Sequence, residues 1–465
     1  MKKWNKTAAY IALATVQPWF AYGADYKINE GTEQTINGGT ELSHLFISGG
    51  TAGATTTLNY AGAPVRHSII QLGEPSRVVR DTPYATHVKS DVEIATLDIE
   101  SDEDRRTAHK QPNKVRISAS IQTINNNSDS TITLDKGRKV EVIRSMGSNL
   151  MNVVNNGETG LIDNAYNITN YGRMRNFQLA DDVTNNPSGI IRPTNISTTK
   201  SMLNEGKIYL DDYDIIIIGK DGESFANDVT GEVHITGDGR LVINTAGRTG
   251  AGNWGKIDLE RDDGFGPIIL RTPEGTTGNI SLFNAGTITS PKNAITIDGT
   301  RTGEGTVATL LNEGNINGGI ITTALNGDKA TVKLDNKGRG VWSGDFQDKE
   351  YKGRATTNKF VLINNDGTIK TKGNEKNERG IIHSVLTING GTIDIRDGSL
   401  TLDGDYEGRT GGQIHTSGVL GGDETELPNL QITGKVAGDA TLVTIDNLGG
   451  TGAATQEGIA VVRAK

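Results

Sequence analysis

A short unit recurs along this chain and limits what it can become: an apolar residue, Asn, a spacer, Gly, then Thr, Asn or Lys, and Ile. It appears as Leu203-Asn204-Glu205-Gly206-Lys207-Ile208, Phe283-Asn284-Ala285-Gly286-Thr287-Ile288 and Leu311-Asn312-Glu313-Gly314-Asn315-Ile316. Ile363-Asn364-Asn365-Asp366-Gly367-Thr368-Ile369 and Ile388-Asn389-Gly390-Gly391-Thr392-Ile393 repeat it, with weaker copies at Asn155, Asn170, Asn244 and Asn336. From Asn284 onward the asparagines lie 28, 24, 28 or 29, and 24 or 25 residues apart, and the gaps of 40 on either side of Asn244 suggest inserted loops or an unmarked turn. A period of roughly 20–25 residues suits one coil of a parallel β-helix with three short strands and three turns. Asn tolerates a left-handed backbone at a corner and Gly adopts it freely. Stacked asparagines can bond along the axis as a ladder, and the apolar residue after each Gly is expected to stack in the core. A series of hairpins with Asn-Gly turns is the competing arrangement. The unit is mostly not a two-residue Asn-Gly connection, and its period exceeds a hairpin. The expected fold is therefore all-β, a right-handed parallel β-helix with a C-terminal β cap.

The composition agrees with a thin repetitive core. Only 34% of the 465 residues are hydrophobic and 60 are glycine, yet Val, Ile and Leu fall in short alternating runs. Each coil of a solenoid needs only a few inward residues. Cysteine is absent, which removes disulfides and thiolate metal sites and suits a chain that must stay unfolded during export. The net charge of −9 argues against a nucleic-acid groove or a polybasic membrane patch.

Lys2, Lys3 and Lys6, the apolar stretch from Thr7 to Phe20 and the small-x-small run Ala21-Tyr22-Gly23 read as a secretory signal over 1–23, cleaved between Gly23 and Ala24. The apolar stretch is too short to span a bilayer, so no transmembrane segment is expected in the mature chain. Its removal takes the charge to −12. The solenoid is expected over 24–385. Between Pro75 and Asn113 the alternation gives way to charges (Arg77, Arg80, Asp81, Asp102 to Arg106, Lys110), read as a loop excursion. Such a loop on a rigid scaffold could also bind a ligand.

From 386 to 465 the chain alternates short apolar runs with glycine turns. Leu430 and Ile432 open a strand pattern, and Gly434, Gly438, Gly449, Gly450, Gly452 and Gly458 punctuate the remainder. With Tyr406-Glu407-Gly408-Arg409-Thr410-Gly411-Gly412 and Gly418-Val419-Leu420-Gly421-Gly422-Asp423, this segment resembles the C-terminal end of a pertactin-like, adhesin-type autotransporter passenger. Gly449 to Thr455 and Gly458-Ile459-Ala460-Val461-Val462 carry the resemblance best; Glu426, Pro428 and Asn429 depart from it. Ile36-Asn37-Gly38-Gly39-Thr40 and Ile47-Ser48-Gly49-Gly50-Thr51 resemble the Gly-Gly-Thr repeats of the same proteins. The resemblance implies a folding cap at 386–465, with Gly412, Gly422, Asp423, Leu430, Ile432, Gly434, Gly438, Gly450, Gly452, Gly458 and Ile459 as its framework. A membrane β-barrel would come after it. An outer-membrane barrel needs at least eight strands, so the expectation is a truncated or barrel-less member: surface-exposed or extracellular if a separate barrel supplies the route, periplasmic otherwise.

Catalytic patterns find little support. His44, His67, His87, His109, His234, His383 and His415 lack metal-ligand spacing. The Gly-Asp-Ser-Gly of serine-protease autotransporters has only Asp397-Gly398-Ser399 as a distant counterpart, with Ser399 expected on an exposed strand. The Gly-Asp-Ser-Leu signature of esterase autotransporters is missing, as are a phosphate loop and an Arg-Gly-Asp tripeptide. Asp211-Asp212-Tyr213-Asp214 is expected to mark a turn. Asp258, Glu260, Asp262 and Asp263 lack calcium-loop order. The expectation is a binding protein, not an enzyme, with no cofactor and no metal, an unknown protein or polysaccharide surface ligand, and possible self-association. A polysaccharide lyase or hydrolase using Asp258 to Asp263 is the alternative; a non-functional remnant is the third.

Overall fold

The computed structural model describes the backbone of the strands between Ala24 and Ile99 and most of residues 113–464. Residues 1–23, 465 and connections including 100–112, 220–222, 245–249, 261–265, 273–278, 299–306, 324–330, 350–358 and 372–378 lie outside the described residues. Gly23 is among them, while Ala24 opens the first strand, Ala24–Ile28. The described chain is all-β, and its strands pair in parallel with strands one coil away. This is the parallel β-helix expected from the repeat. It divides into two units, 1–180 and 181–465.

In the first unit each coil has two strands, not three. Ser130–Leu134 pairs with Asn113–Ser118 and with Met151–Asn155. Lys139–Ser145 pairs with Ile121–Asn126 and with Glu158–Asp163. Ile132, Leu134, Val140, Ile143, Met151 and Ile162 are completely buried, and alternate residues of each strand face outward, as a period of two requires. One coil also occupies part of the interval read as a loop excursion. Ala85–Ser90 pairs with Thr55–Ala61 and Asn113–Ser118, and Ile94–Ile99 pairs with Ile69–Gly73 and Ile121–Asn126. Ala85–Ser90 offers only Val88 as a large apolar residue, so its alternation is lost among the flanking charges. The charged run 102–106 lies outside the described residues.

The second unit has three strands per coil, and three columns of side chains fill its core. One runs through Ile208, Val233, Ile257, Ile288, Ile316, Trp342, Ile369, Ile393 and Ile414, each aligned with the next by register and at most 2% exposed. The apolar residue after the repeat's Gly therefore does stack inward. The second column passes through Ile215, Leu241, Ile268, Ile295, Ile320, Phe346, Ile382, Leu402 and Ile432. The third runs from Met202 through Phe225, Leu282, Leu310, Leu334 and Leu362 to Tyr406. Where the columns meet at one coil, Phe346 and Phe360 stack at 3.7 Å and Trp342 meets Phe360 edge-on. The Trp342 indole donates to the Gly318 carbonyl at 3.2 Å, so this aromatic cluster is both apolar and satisfied.

Two residues beyond each third-column position stands a buried asparagine, and these form the ladder. Asn185, Asn204, Asn227, Asn253, Asn284, Asn312, Asn336, Asn364 and Asn389 are all 0% exposed. Each Nδ2 donates to the Oδ1 of the next at 2.7–3.0 Å. It also donates to a backbone carbonyl of the coil above, as Asn312 does to Val341 at 3.1 Å. All amides point the same way. In the first unit Asn155 donates to Asn170 likewise. Asn244 is no ladder member: its Oδ1 accepts from Arg271 Nε, and the ladder passes instead through Asn227 and Asn253.

The glycines of the repeat have a different role from the one expected. Neither the ladder asparagines nor Gly286 and Gly314 have positive φ. A Cβ on Gly286 would lie 2.1 Å from the Gly255 carbonyl oxygen, and one on Gly314 2.1 Å from that of Gly286. The corner is narrow because successive carbonyls rise through it.

Candidate functional site

The residues singled out at the C-terminal end lie on continuing coils of the second unit. Leu430 and Ile432 form the strand Leu430–Ile432, aligned on Leu400 and Leu402 and 0% and 2% exposed. Gly412 closes a turn, its N–H donating to the Arg409 carbonyl at 2.9 Å. Gly434 stands where a Cβ would meet Asp405 Oδ1 at 2.4 Å, and Gly450 where it would meet the Leu420 carbonyl at 1.9 Å. Gly438, Gly452 and Gly458 have positive φ, and Gly438 ends the strand Val436–Gly438. Gly422 and Asp423 lie in the connection before Leu430. The Asp423 carboxylate accepts from the backbone N–H groups of Gln456 and Glu457 at 2.8 and 3.2 Å, tying down the glycine-rich run. Ile459 is half-buried, and Val461 beside it packs deeper.

The expected closed cap is not seen among the described residues. Val436–Gly438, Leu442–Asn447 and Val462–Ala464 extend the three strand columns by one coil. The inward positions of that coil lack cover: Val436 is 52% exposed, Val443 39% and Ile445 37%. Val443 aligns on Ile414, which is 2% exposed.

Two side-chain groups here escape a reading of the sequence. One ends the amide ladder. By register the position after Asn389 is Gly408, which has no side chain to offer. Tyr406, 4% exposed, brings its hydroxyl there: Asn389 Nδ2 donates to it at 3.2 Å, and it lies 2.9 Å from Thr441 Oγ1. An amide nitrogen is only a donor, so the tyrosine hydrogen is left for Thr441. The sequence carries a trace of it, since Gly408 stands where the next ladder asparagine is due and Tyr406 two positions before it.

The other group is ionic. Arg396 Nε and Nη2 donate to Asp394 Oδ1 and Oδ2 at 2.9 and 2.8 Å, and Nη1 reaches Asp446 at 3.4 Å on the last coil. His415 Nε2 lies 2.9 Å from Asp446 Oδ2 but off the hydrogen-bond line. Burial pushes the Asp394 carboxyl up, and the Arg396 hydrogen bonds and charge, with Lys370, outweigh it and hold it below the usual carboxylate range. A depressed folded value contributes stability above the unfolded value of about 3.9, lost as pH falls through the folded one. Arg396→Met should therefore cost about 2 kcal/mol at pH 7, discounted for the part-exposed guanidinium, with the deficit shrinking below about pH 4. Urea melts across pH test this; a deficit independent of pH would overturn it.

Among the described residues the enzymatic candidates are not brought together. Ser399 lies in the turn before Leu400–Leu402 rather than on a strand, half-buried, its hydroxyl accepting from the Asn429 N–H at 3.1 Å. Asp258 pairs with Lys256 at 2.5 Å and faces His234 at 3.7 Å. Asp262 and Asp263 lie outside the described residues. Asp211 sits in a turn, held by Arg192 and Thr236. Among the described residues no three His, Asp or Glu side chains gather to hold a metal ion, and no helix is long and apolar enough to cross a membrane.

Residues 377–465 match the family model of the autochaperone domain type 1. No curated protein and no solved structure matches the chain. The matched domain is associated with autotransporters.

Proposed function

We propose that this passenger is adhesin-like: an acidic, surface-displayed scaffold that binds host cells, sister cells or biofilm matrix and performs no catalysis. The observation that carries the reading is the autochaperone match at 377–465, laid down on coils that share register with the solenoid before it. A unit that repeats one coil geometry presents an outer face of stacked strands, and such faces suit recognition of extended ligands. An outer-membrane barrel, in this chain or another, serves as the export partner, and a leader over 1–23 takes the chain through the inner membrane. Among the described candidate acids, Asp211 pairs with Arg192 and Asp258 with Lys256, which favours binding over lyase chemistry. Displaying residues 24–465 on a heterologous outer-membrane barrel tests this. Adhesion to epithelial monolayers or matrix, or cell–cell aggregation, should rise about tenfold over cells with the bare barrel, the gain expected of many weak contacts acting together. Full surface display with no gain in any of these would overturn the reading.

A further inference from the structure

The repeat that builds the second unit also endangers it. Every coil from Asn185 to Asn389 offers the same buried amide at the same corner, with an apolar residue two positions earlier in most coils. Asn can stack on Asn, and Ile on Ile, after a slip of one whole coil. Apart from the aromatic coil at Trp342, Phe346 and Phe360, such a chain has few of the mismatches that normally specify register. The hand-over from amides to hydroxyls breaks this equivalence. Tyr406 replaces the aliphatic residue of the third column, and Gly408 replaces Asn. A Cβ on Gly408 would lie 2.3 Å from the Asp439 carbonyl and 2.8 Å from Thr441 Oγ1, so no ladder asparagine could take this place with Thr441 where it is. Thr441 in turn reaches the ladder only through the Tyr406 hydroxyl. A single polar residue placed off-pattern in a repetitive interface is a known way of fixing register.

We propose that Tyr406, Gly408 and Thr441 form a register stop, through which the autochaperone segment selects one stacking of the solenoid coils. Tyr406 and Thr441 are positioning residues: they act through the ladder and touch no ligand. The inference rests on reading 377–465 as an autochaperone segment and is independent of adhesion, since it is measured without cells.

The test is refolding of the full chain from urea, scored as yield of native monomer, beside the urea unfolding rate of the native fraction. Tyr406→Phe keeps the ring in the core, and Thr441→Val keeps the shape at the last coil. Each should cut native yield about threefold, the remainder forming mis-stacked or aggregated chains, while the native fraction unfolds within about twofold of the unmodified rate. The double variant should be no worse than the poorer single one, since both act through one relay. Thr410→Ala, which removes an exposed hydroxyl bonded to Asp439, should leave yield unchanged. An unchanged yield in both single variants, a yield loss matched by faster unfolding, or an equal loss in Thr410→Ala would overturn the proposal.

Discussion

Asn312→Asp should be the most damaging isosteric change in the second unit at neutral pH and a mild one in acid. The Asn312 amide is fully buried, accepts from Asn284 at 2.8 Å, and donates to Asn336 Oδ1 at 2.8 Å and to the Val341 carbonyl at 3.1 Å. A carboxylate keeps the acceptor and loses both donors, so its second oxygen faces two other oxygens. An uncompensated buried charge of this kind costs about 3–5 kcal/mol. Burial and facing acceptors raise the folded pKa of the new acid above the unfolded value of about 3.9. The sign is opposite to that at Asp394: the deficit is small while the acid is protonated in both states, appears as pH rises past about 4, and grows until the folded value is reached. When protonated, the new hydroxyl donates to Asn336 as the amide did, and only the bond to Val341 is lost, about 1 kcal/mol. Urea melts of the variant and the unmodified chain at pH 3.5 and 7.5 should show this divergence. Equal deficits at both would mean that the amide does not donate up the ladder.

The ladder also marks what can be read from sequence. The coils at Asn284, Asn312, Asn364 and Asn389 are legible because a one- or two-residue spacer precedes the glycine and an aliphatic or aromatic residue precedes the asparagine. Asn185 and Asn227 escape because three residues separate each from its glycine, Gly189 and Gly231, whose carbonyls accept from their amides. Asn253 has the right spacing but stands after Gly252, where a Cβ would lie 2.3 Å from the Trp254 ring. The indole folds back over the place of the missing side chain, so the packing is kept while the pattern vanishes. Asn244 misleads by composition alone. At the C-terminal end the turn glycines are readable. The links from Asn389 to Tyr406, Tyr406 to Thr441 and Arg396 to Asp446 are not, because they join residues 17 to 50 positions apart whose alignment depends on coil length.

That alignment bears on the match at 377–465. The three core columns cross into the matched segment without a break, through Ile369 to Ile393, Phe346 to Ile382 and Leu362 to Thr387. The segment is therefore a continuation of the solenoid's own core and ladder, and what it adds is a polar ending on the ladder and an ion pair reaching the last coil. A segment so built can template the coil before it by offering a preformed strand edge and core, the two things a repeat lacks alone.

Gly286→Ala tests how tightly the coils ahead of that segment are stitched together. Its Cβ would meet the Gly255 carbonyl oxygen at 2.1 Å and the Trp254 and Gly255 backbone at 2.6 and 2.8 Å. None of these is the end of a flexible side chain, so relief requires separating two coils. Separation would stretch the bonds that stitch the corner: Thr287 N–H to the Gly255 carbonyl at 2.9 Å, Gly286 N–H to the Asn253 carbonyl at 2.9 Å, and Asn253 to Asn284 at 2.7 Å. The cost should be at least about 3 kcal/mol, at or beyond the upper end of ordinary overpacking. Gly338→Ala is the matched control. Gly338 has φ +56, and a Cβ placed there would meet open space, so its substitution costs only the left-handed backbone strain, about 1–2 kcal/mol. If the corner glycines served turn conformation, the order would reverse, because Gly286 lies outside the left-handed region and would then accept alanine freely. Parallel urea melts of the two variants decide between close approach and turn geometry, and a smaller loss at Gly286 than at Gly338 would show that the coils can slide apart at this corner.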